Sequence, residues 1–304
     1  VPEVRILDRF APGDVRAVRR LADSVEEVSG VPPFGDTTWL GLSDGGTRHD
    51  VGLAVETPDG RLRGYAHAAE YRAGAWSLEA ATTDSAEELA LLLAEAVVTI
   101  AAHGGGDVTL WLHGPTDADD AAARTAGFTR ARDLLEMRVP LPLPSPVRWP
   151  DGVTVRTFLP GVDDDAWLAV NNRAFAGHPE QGEWDGATLG RRMAEPWFDP
   201  EGFLLVFVGD DVAGFCWTKV HPSAPPREPD ALGEIYVIGV DPAHQAAGLG
   251  RALVTAGLAS LAARGVRVGM LFVEADNDAA VGLYRALGFT THRIDRAYVR
   301  TTRT

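Results

Sequence analysis

A chain of 304 residues, 45% hydrophobic and 23% charged, has enough material for two domains of ordinary size with a packed core in each. Its formal charge of -15 argues against a generic binder of nucleic acid or anionic membrane, because both partners reward a positive field. The single cysteine, Cys216, rules out an intramolecular disulfide framework and a thiolate metal cluster, and with no stretch near the roughly 18 apolar residues of a membrane span a cytoplasmic protein is expected.

In chain order, Val4–Phe10 reads as a strand and Pro12–Val28 as a helix. Three strands follow at Asp50–Thr57, Arg63–Tyr71 and Ala75–Thr82. A helix from Ser85 to Ala102, a strand Val108–Leu112 and a helix ending at Gly127-Phe128 close the first half. Between Arg138 and Asp151 alternating prolines remove amide donors and favour extended backbone, so a domain boundary is expected there: 1–140, a linker 141–151, and 152–304.

The second half repeats this order. Val153–Phe158 opens it, and Asp163–Ala176 has the acidic start and apolar spacing of an amphipathic helix. Phe203–Val208 and Val212–Val220 form a hairpin across Gly209–Asp211, and Gly233–Val240 is the next strand. A glycine-bearing loop leads into a helix from about Gly250 to Arg264, then a strand Val266–Val273 and a short helix Asn277–Leu287. The ends of the two halves correspond: Arg124-Thr125-Ala126-Gly127-Phe128 parallels Arg285-Ala286-Leu287-Gly288-Phe289. They differ between fourth strand and helix, where Thr82-Thr83-Asp84 passes directly into the helix but Val240-Asp241 is followed by a full loop.

That loop, Gln245-Ala246-Ala247-Gly248-Leu249-Gly250-Arg251, leads from a strand to a helix N-terminus, where unpaired amides and the helix dipole make an anion site. It has neither the Lys-Ser/Thr pair of a phosphate-binding P-loop nor the third glycine of a dinucleotide fingerprint. Together with the following strand and Asn277-Asp278-Ala279-Ala280-Val281-Gly282-Leu283-Tyr284, it resembles the GCN5-related N-acetyltransferase family. The resemblance implies an α/β (α+β) fold of two tandem domains, each a mixed, mostly antiparallel sheet flanked by helices. It implies acetyl-CoA as co-substrate and no metal. The loop amides would hold the coenzyme pyrophosphate, Ile238-Gly239-Val240 would pair with the pantetheine, and residues Asn277 to Gly282 would lie against the coenzyme's other side.

Attack of an amine on a thioester needs a base for the amine proton and a proton donor for the departing thiolate. Glu234, sharing a strand face with Tyr236, Ile238 and Val240 by two-residue alternation, is the expected base, and Tyr284 the expected acid. His244 reads as a solvent-facing loop residue, and Cys216, between Phe215 and Trp217, as a buried inert thiol.

Three further segments, Asn171 to Gly182, Gly214 to His221 and Leu232 to Val240, are similar to the tandem-domain branch of that family, whose members acetylate the cysteinyl amine of cysteinyl-glucosaminyl-inositol. The resemblance implies that Glu180, Lys219 and Glu234 contact this acceptor, with Asp36 reaching from the first half. Phe272 stands where a substrate-contacting tyrosine is common, and the first half lacks the coenzyme loop and opens its helix with Ser85-Ala86-Glu87-Glu88, so one coenzyme site, in a monomer, is expected. Another amine (an amino sugar, an antibiotic or a peptide N-terminus) stays open as acceptor, as does a non-catalytic acyl-CoA sensor.

Overall fold

The structure, a computed structural model, describes residues 4–43, 45–46, 50–177, 183–223, 230–245 and 248–302. It divides into two compact units: residues 1–135 with 274–276 and 293–304, and residues 136–273 with 277–292.

The first unit runs β1 (Val4–Leu7), α1 (Pro12–Ser29), α2 (Asp36–Ser43), β2 (Asp50–Glu56), β3 (Leu62–Arg72), β4 (Ala75–Thr82), α3 (Ala86–Ala102), β5 (Gly106–His113) and α4 (Asp117–Thr125), then the start of β6 (Thr129–Pro140). Strands β1 to β4 pair antiparallel in sequence, β4 pairs parallel with β5, and β5 pairs antiparallel with a strand from the far end of the chain, Thr290–Thr302. The α3 face of this sheet is nearly continuous apolar surface: Leu53, Val55, Leu78 and Leu110 pack against Leu89, Leu92, Leu93, Ala96 and Ile100, which recur at helical spacing. The opposite face carries a second core around Phe10, Leu21, Phe34, Leu42 and Tyr65, beneath α1 and α2.

The second unit contains the end of β6, then β7 (Val153–Thr157), α5 (Asp164–Ala174), α6 (Gly186–Met193), β8 (Phe203–Val208), β9 (Asp211–His221), β10 (Leu232–Val240), α7 (Leu249–Ala263), β11 (Val268–Glu274) and α8 (Asp278–Ala286). Strands β7 to β10 are antiparallel neighbours, and β10 pairs parallel with β11. The final strand, β12 (Thr290–Thr302), enters from residue 293 onward into the first unit. The same order of elements thus occurs twice, each with one parallel pair in an otherwise antiparallel sheet.

The unit division differs from the expected boundary at both edges. Residues 136–151 go with the second unit, where Leu141 donates its amide to the Arg267 carbonyl at 2.8 Å, and β12 goes with the first because it completes the edge of β5. Neither β6 nor β12 stood out by hydrophobic alternation. In β12 the arginines sit at polar contacts, Arg296 reaching Asp120 at 2.6 Å and Asp133 at 3.1 Å, so the strand is built on charge as well as apolar burial. Two short helices, α2 and α6, also carry little helical signal: α6 reads Gly-Ala-Thr-Leu-Gly-Arg-Arg-Met and starts because Asp185 accepts the Thr188 amide at 2.7 Å.

Close approach of helix and sheet fixes one residue in the middle of α7. A Cβ at Gly257 would lie 2.5 Å from Cys216 Sγ and 2.7 Å from Ile235 Cδ1. Helix propensity favours alanine by about 1 kcal/mol, whereas overpacking a dense core costs about 1–3 kcal/mol. Gly257→Ala is therefore expected to destabilise the second unit, read as a lower denaturation midpoint with unchanged m-value.

Candidate active site

β10 lies between β9 and β11, but its two edges are not equally paired. Against β9 the ladder extends from Leu232↔His221 to Val240↔Gly214, while the parallel pairing with β11 runs only from Leu232↔Val268 to Ile235↔Leu271. Beyond Ile235 the two strands part, so that the β11-side edge of Ile238, Gly239 and Val240 has no ladder partner among the described residues. Such an edge offers backbone donors and acceptors to an extended ligand.

The ladder with β9 carries a bulge between Ile235 and Val237, which makes Tyr236 the extra residue. Two-residue alternation fails there. Glu234, Tyr236 and Val237 turn to the face holding Trp167, Trp197 and Trp217, and Gly239 follows, since a Cβ on it would meet Phe215 and Ala174. Ile238 and Val240 face α7 instead: Ile238 is paired with Cys216, which borders Gly257, and Val240 with Gly214, beside Leu253. The expected common face of Glu234 with Ile238 and Val240 is thus corrected. The bulge rotates the end of the strand by one residue, so Glu234 shares a face with Tyr236 and Lys219.

Glu234 is 7% exposed, and its Oε2 is 2.7 Å from His221 Nε2. Lys219, its cross-strand partner, is buried too, with Nζ 4.9 Å from the Trp197 ring centroid and 5.6 Å from that of Tyr236. Trp197 and Tyr236 meet edge-on at 4.9 Å. A carboxylate, an ammonium and an imidazole are therefore gathered on a wall of aromatic rings, where reduced solvent strengthens each electrostatic contact. His221, Trp197 and Tyr236 did not emerge from the sequence as site residues. His221 had a legible signal, because it stands two positions beyond Lys219 on the same strand and so on the same face.

At the other end of β10, Asp241 is held by Arg173, whose Nε lies 2.9 Å away, and accepts the Ala243 amide at 2.9 Å. Burial works to raise the Asp241 pKa, but these hydrogen bonds and the guanidinium charge outweigh it and hold the carboxyl below the usual range. The anchored turn leads through His244 and the exposed Gln245 to Gly248, which caps α7 at φ +81°, a backbone conformation glycine adopts without strain. Among the described residues no side chain caps α7. Among them, too, a Cβ at Gly248 would meet nothing within 4 Å, and at Gly250 only Val240 Cγ2 at 4.0 Å, so these two positions leave room beside the first turn of α7. In the first unit the matching helix α3 is closed by its own side chains: Ser85 accepts the Glu88 amide at 3.3 Å, and Glu88 is paired with Arg63 at 2.7 Å.

Asn277 accepts the Ala280 amide at 3.1 Å and so fixes the start of α8, with Asp278 and Ala279 exposed and Val281 buried beneath. One turn further Gly282 is exposed, and Tyr284 is buried against Phe289 with ring centroids 5.7 Å apart. Burial, with a smaller contribution from Cys216, pushes the Tyr284 hydroxyl up to about 12. Cys216 itself is fully buried and its thiol is pushed up to about 12 by desolvation, as suits an inert core thiol.

Of the expected acceptor residues, Lys219 and Glu234 come together, and Phe272 lies half-buried on β11. Asp36 is exposed in the first turn of α2, in the first unit. Glu180, Ala246 and Ala247 lie outside the described residues. Among the described residues no group of three or more His, Cys, Asp or Glu is arranged to hold a metal ion, and no helix is long and apolar enough to cross a membrane.

Residues 167–289 match the family model described as the acetyltransferase (GNAT) family. Over its whole length the chain is similar to the mycothiol acetyltransferase of Thermobispora bispora, with 44% identity covering 98% of this chain and 99% of that protein. The mycothiol acetyltransferase of Geodermatophilus obscurus is 42% identical, covering 98% of each. Among solved structures, a GCN5-related N-acetyltransferase from Sphaerobacter thermophilus superposes with a TM-score of 0.72 at 23% identity, covering 99% of this chain and 96% of that one. A tandem GNAT protein from the clavulanic acid biosynthesis pathway superposes with a TM-score of 0.69 at 16% identity, covering 98% of each. Both structures share the two-repeat fold.

Proposed function

The chain belongs to the mycothiol acetyltransferase family of the GNAT acetyltransferases, and on that basis we propose that it transfers an acetyl group from acetyl-CoA to the cysteinyl amine of cysteinyl-glucosaminyl-inositol. The observation that carries this reading is the parting of β10 from β11 on the strand that leads to the glycine-capped N-terminus of α7, with a buried carboxylate, Glu234, on the strand that parts. The residues fit the co-substrate. Amides from Gly248 to Arg251 suit a pyrophosphate, the free edge of Ile238, Gly239 and Val240 suits an amide-bearing chain, and the exposed first turn of α8, from Asn277 to Gly282, suits its other side. When bound, acetyl-CoA supplies an acyl group already activated as a thioester.

Glu234 then takes the proton that the amine must lose, directly or through one water. An α-amino group has a pKa of about 7.7–8.0, so at neutral pH the base has little free energy to supply. Tyr284 acts where negative charge develops on sulfur. A phenol at about 12 is a weaker acid than an ordinary thiol at about 8.5, so Tyr284 stabilises a thiolate as a hydrogen-bond donor and keeps its proton. Lys219, with Glu180 on the strength of the family resemblance, is assigned to the hydroxyl-rich acceptor, whose selectivity follows from the cost of leaving a buried group such as Lys219 unpaired. The setting is the cytoplasm, a reading supported by the single free thiol, and the proposed state is a monomer, since one chain already carries both repeats.

Phe272 favours a second reading, since a phenyl ring offers an acceptor hydroxyl nothing: an acetyltransferase of the same layout acting on another small amine. Purified protein assayed by thiol release from acetyl-CoA against a panel of amines separates the two. Efficient turnover of cysteinyl-glucosaminyl-inositol is expected; silence with that compound beside rapid acetylation of an amino sugar or a peptide N-terminus would transfer the assignment to the second reading.

A further inference from the structure

The Glu234–His221 contact is built into the sheet. The two residues sit on adjacent strands, His221 opposite Leu232 and Lys219 opposite Glu234, so the imidazole reaches back along the strand to the carboxylate. The distance from His221 Nε2 to Glu234 Oε2 is 2.7 Å, and no other described hydrogen bond is given to that carboxylate by a side chain. The carboxylate is almost fully buried while the imidazole is 35% exposed. The flanking titratable groups on this face are Lys219 on β9 and Tyr236 on β10; on β11 the cross-strand partner of Glu234 is Met270, which cannot titrate.

We propose that His221 is the positioning residue of the base. Its Nε2–H donates to Oε2, fixes the carboxyl rotamer and leaves Oε1 for the proton of the acceptor amine. This rests on the assignment of Glu234 as base. The exposed edge of the ring keeps the pair in contact with solvent, so a proton held by Glu234 has a polar route away from the aromatic wall.

The test compares His221→Ala, which removes the donor, with His221→Gln, which keeps an N–H and cannot titrate. Expected for His221→Ala are a kcat about tenfold lower, equal to about 1.4 kcal/mol, with KM values for acetyl-CoA and acceptor within about twofold of wild type. His221→Gln should recover most of the loss. A wild-type kcat in His221→Ala would overturn the proposal, as would equal losses in both variants, the pattern of a merely structural residue. If Glu234→Gln abolishes turnover while His221→Ala does nothing, only this inference fails; if Glu234→Gln is fully active, the base assignment fails with it.

Discussion

Glu234→Gln is expected to lower kcat by about 100- to 10,000-fold, the usual contribution of a positioned general base, with little change in acetyl-CoA affinity. The affinity should survive because the coenzyme-holding features are backbone: the amides at the start of α7 and the free edge of β10 beyond Ile235. The base lies earlier on β10, on the opposite face from Ile238 and Val240, because of the bulge at Tyr236. Steady-state kinetics across pH, with acetyl-CoA binding measured separately by calorimetry, check both halves. The residual rate of the variant should rise with pH as the free amine fraction grows, since deprotonation then comes from solvent. Full activity of Glu234→Gln at every pH would remove Glu234 from the mechanism.

The second large effect is one of stability, in the first unit. Glu79 and Asp295 are both buried carboxylates, and His113 stands between them, with Nε2 2.8 Å from Glu79 and Nδ1 3.0 Å from Asp295. Burial works to lower the His113 pKa, but its hydrogen bonds to Asp295 and Glu79 and their charges outweigh it, raising it to about 9. In turn His113 holds both carboxyls below their usual range against their own desolvation. Glu79 also accepts the Gly35 amide at 3.1 Å and the Thr38 hydroxyl at 2.5 Å, so the chain of contacts ends at the first turn of α2, where Asp36 stands. His113→Asn leaves buried Glu79 without its cation and Asp295 with Arg293 alone, and should cost about 3–5 kcal/mol, the penalty for breaking a buried pair from one side.

The sign of the pH dependence follows from the direction of each shift. The folded His113 pKa lies above its unfolded value of about 6.5, so its contribution is complete below pH 6.5 and is lost as pH rises through about 9. A shift of this size corresponds to about 3 kcal/mol. The lowered carboxylates act oppositely: their stabilisation is present above about pH 4 and is lost as the pH falls. Hydrogen exchange of β4 and β5 peptides should report loosening between pH 7 and 10 in wild type, and His113→Asn should flatten that slope. An equally steep slope in the variant would place the titration elsewhere.

The sequence made much of this fold legible where one face of an element is buried and the other is not. The β8–β9 hairpin, α7 and the loop before it follow from apolar spacing and glycine placement. The orientation of the residues on β10 did not, because a bulge is a property of the ladder between two strands, and nothing in Glu234 to Val240 alone marks Tyr236 as the residue without a partner. The Glu79–His113–Asp295 contact was equally hidden, since it joins three strands whose pairing only the fold defines. β12 was obscured by its arginines, which read as a solvated segment until Asp120 and Asp133 are seen to meet them.

The late position of β12 in the chain gives synthesis a direction that matters. Asp295 lies 182 residues after His113, a stretch the ribosome takes about 10–40 s to add. During that interval β5 has no partner on its outer side and His113 has only one of its two carboxylates. The first unit therefore waits, edge exposed, for a strand translated after nearly all of the second. A nascent chain in this state offers a template for pairing with another chain, and chaperone demand should be set by elongation rate more than by the final stability of either unit.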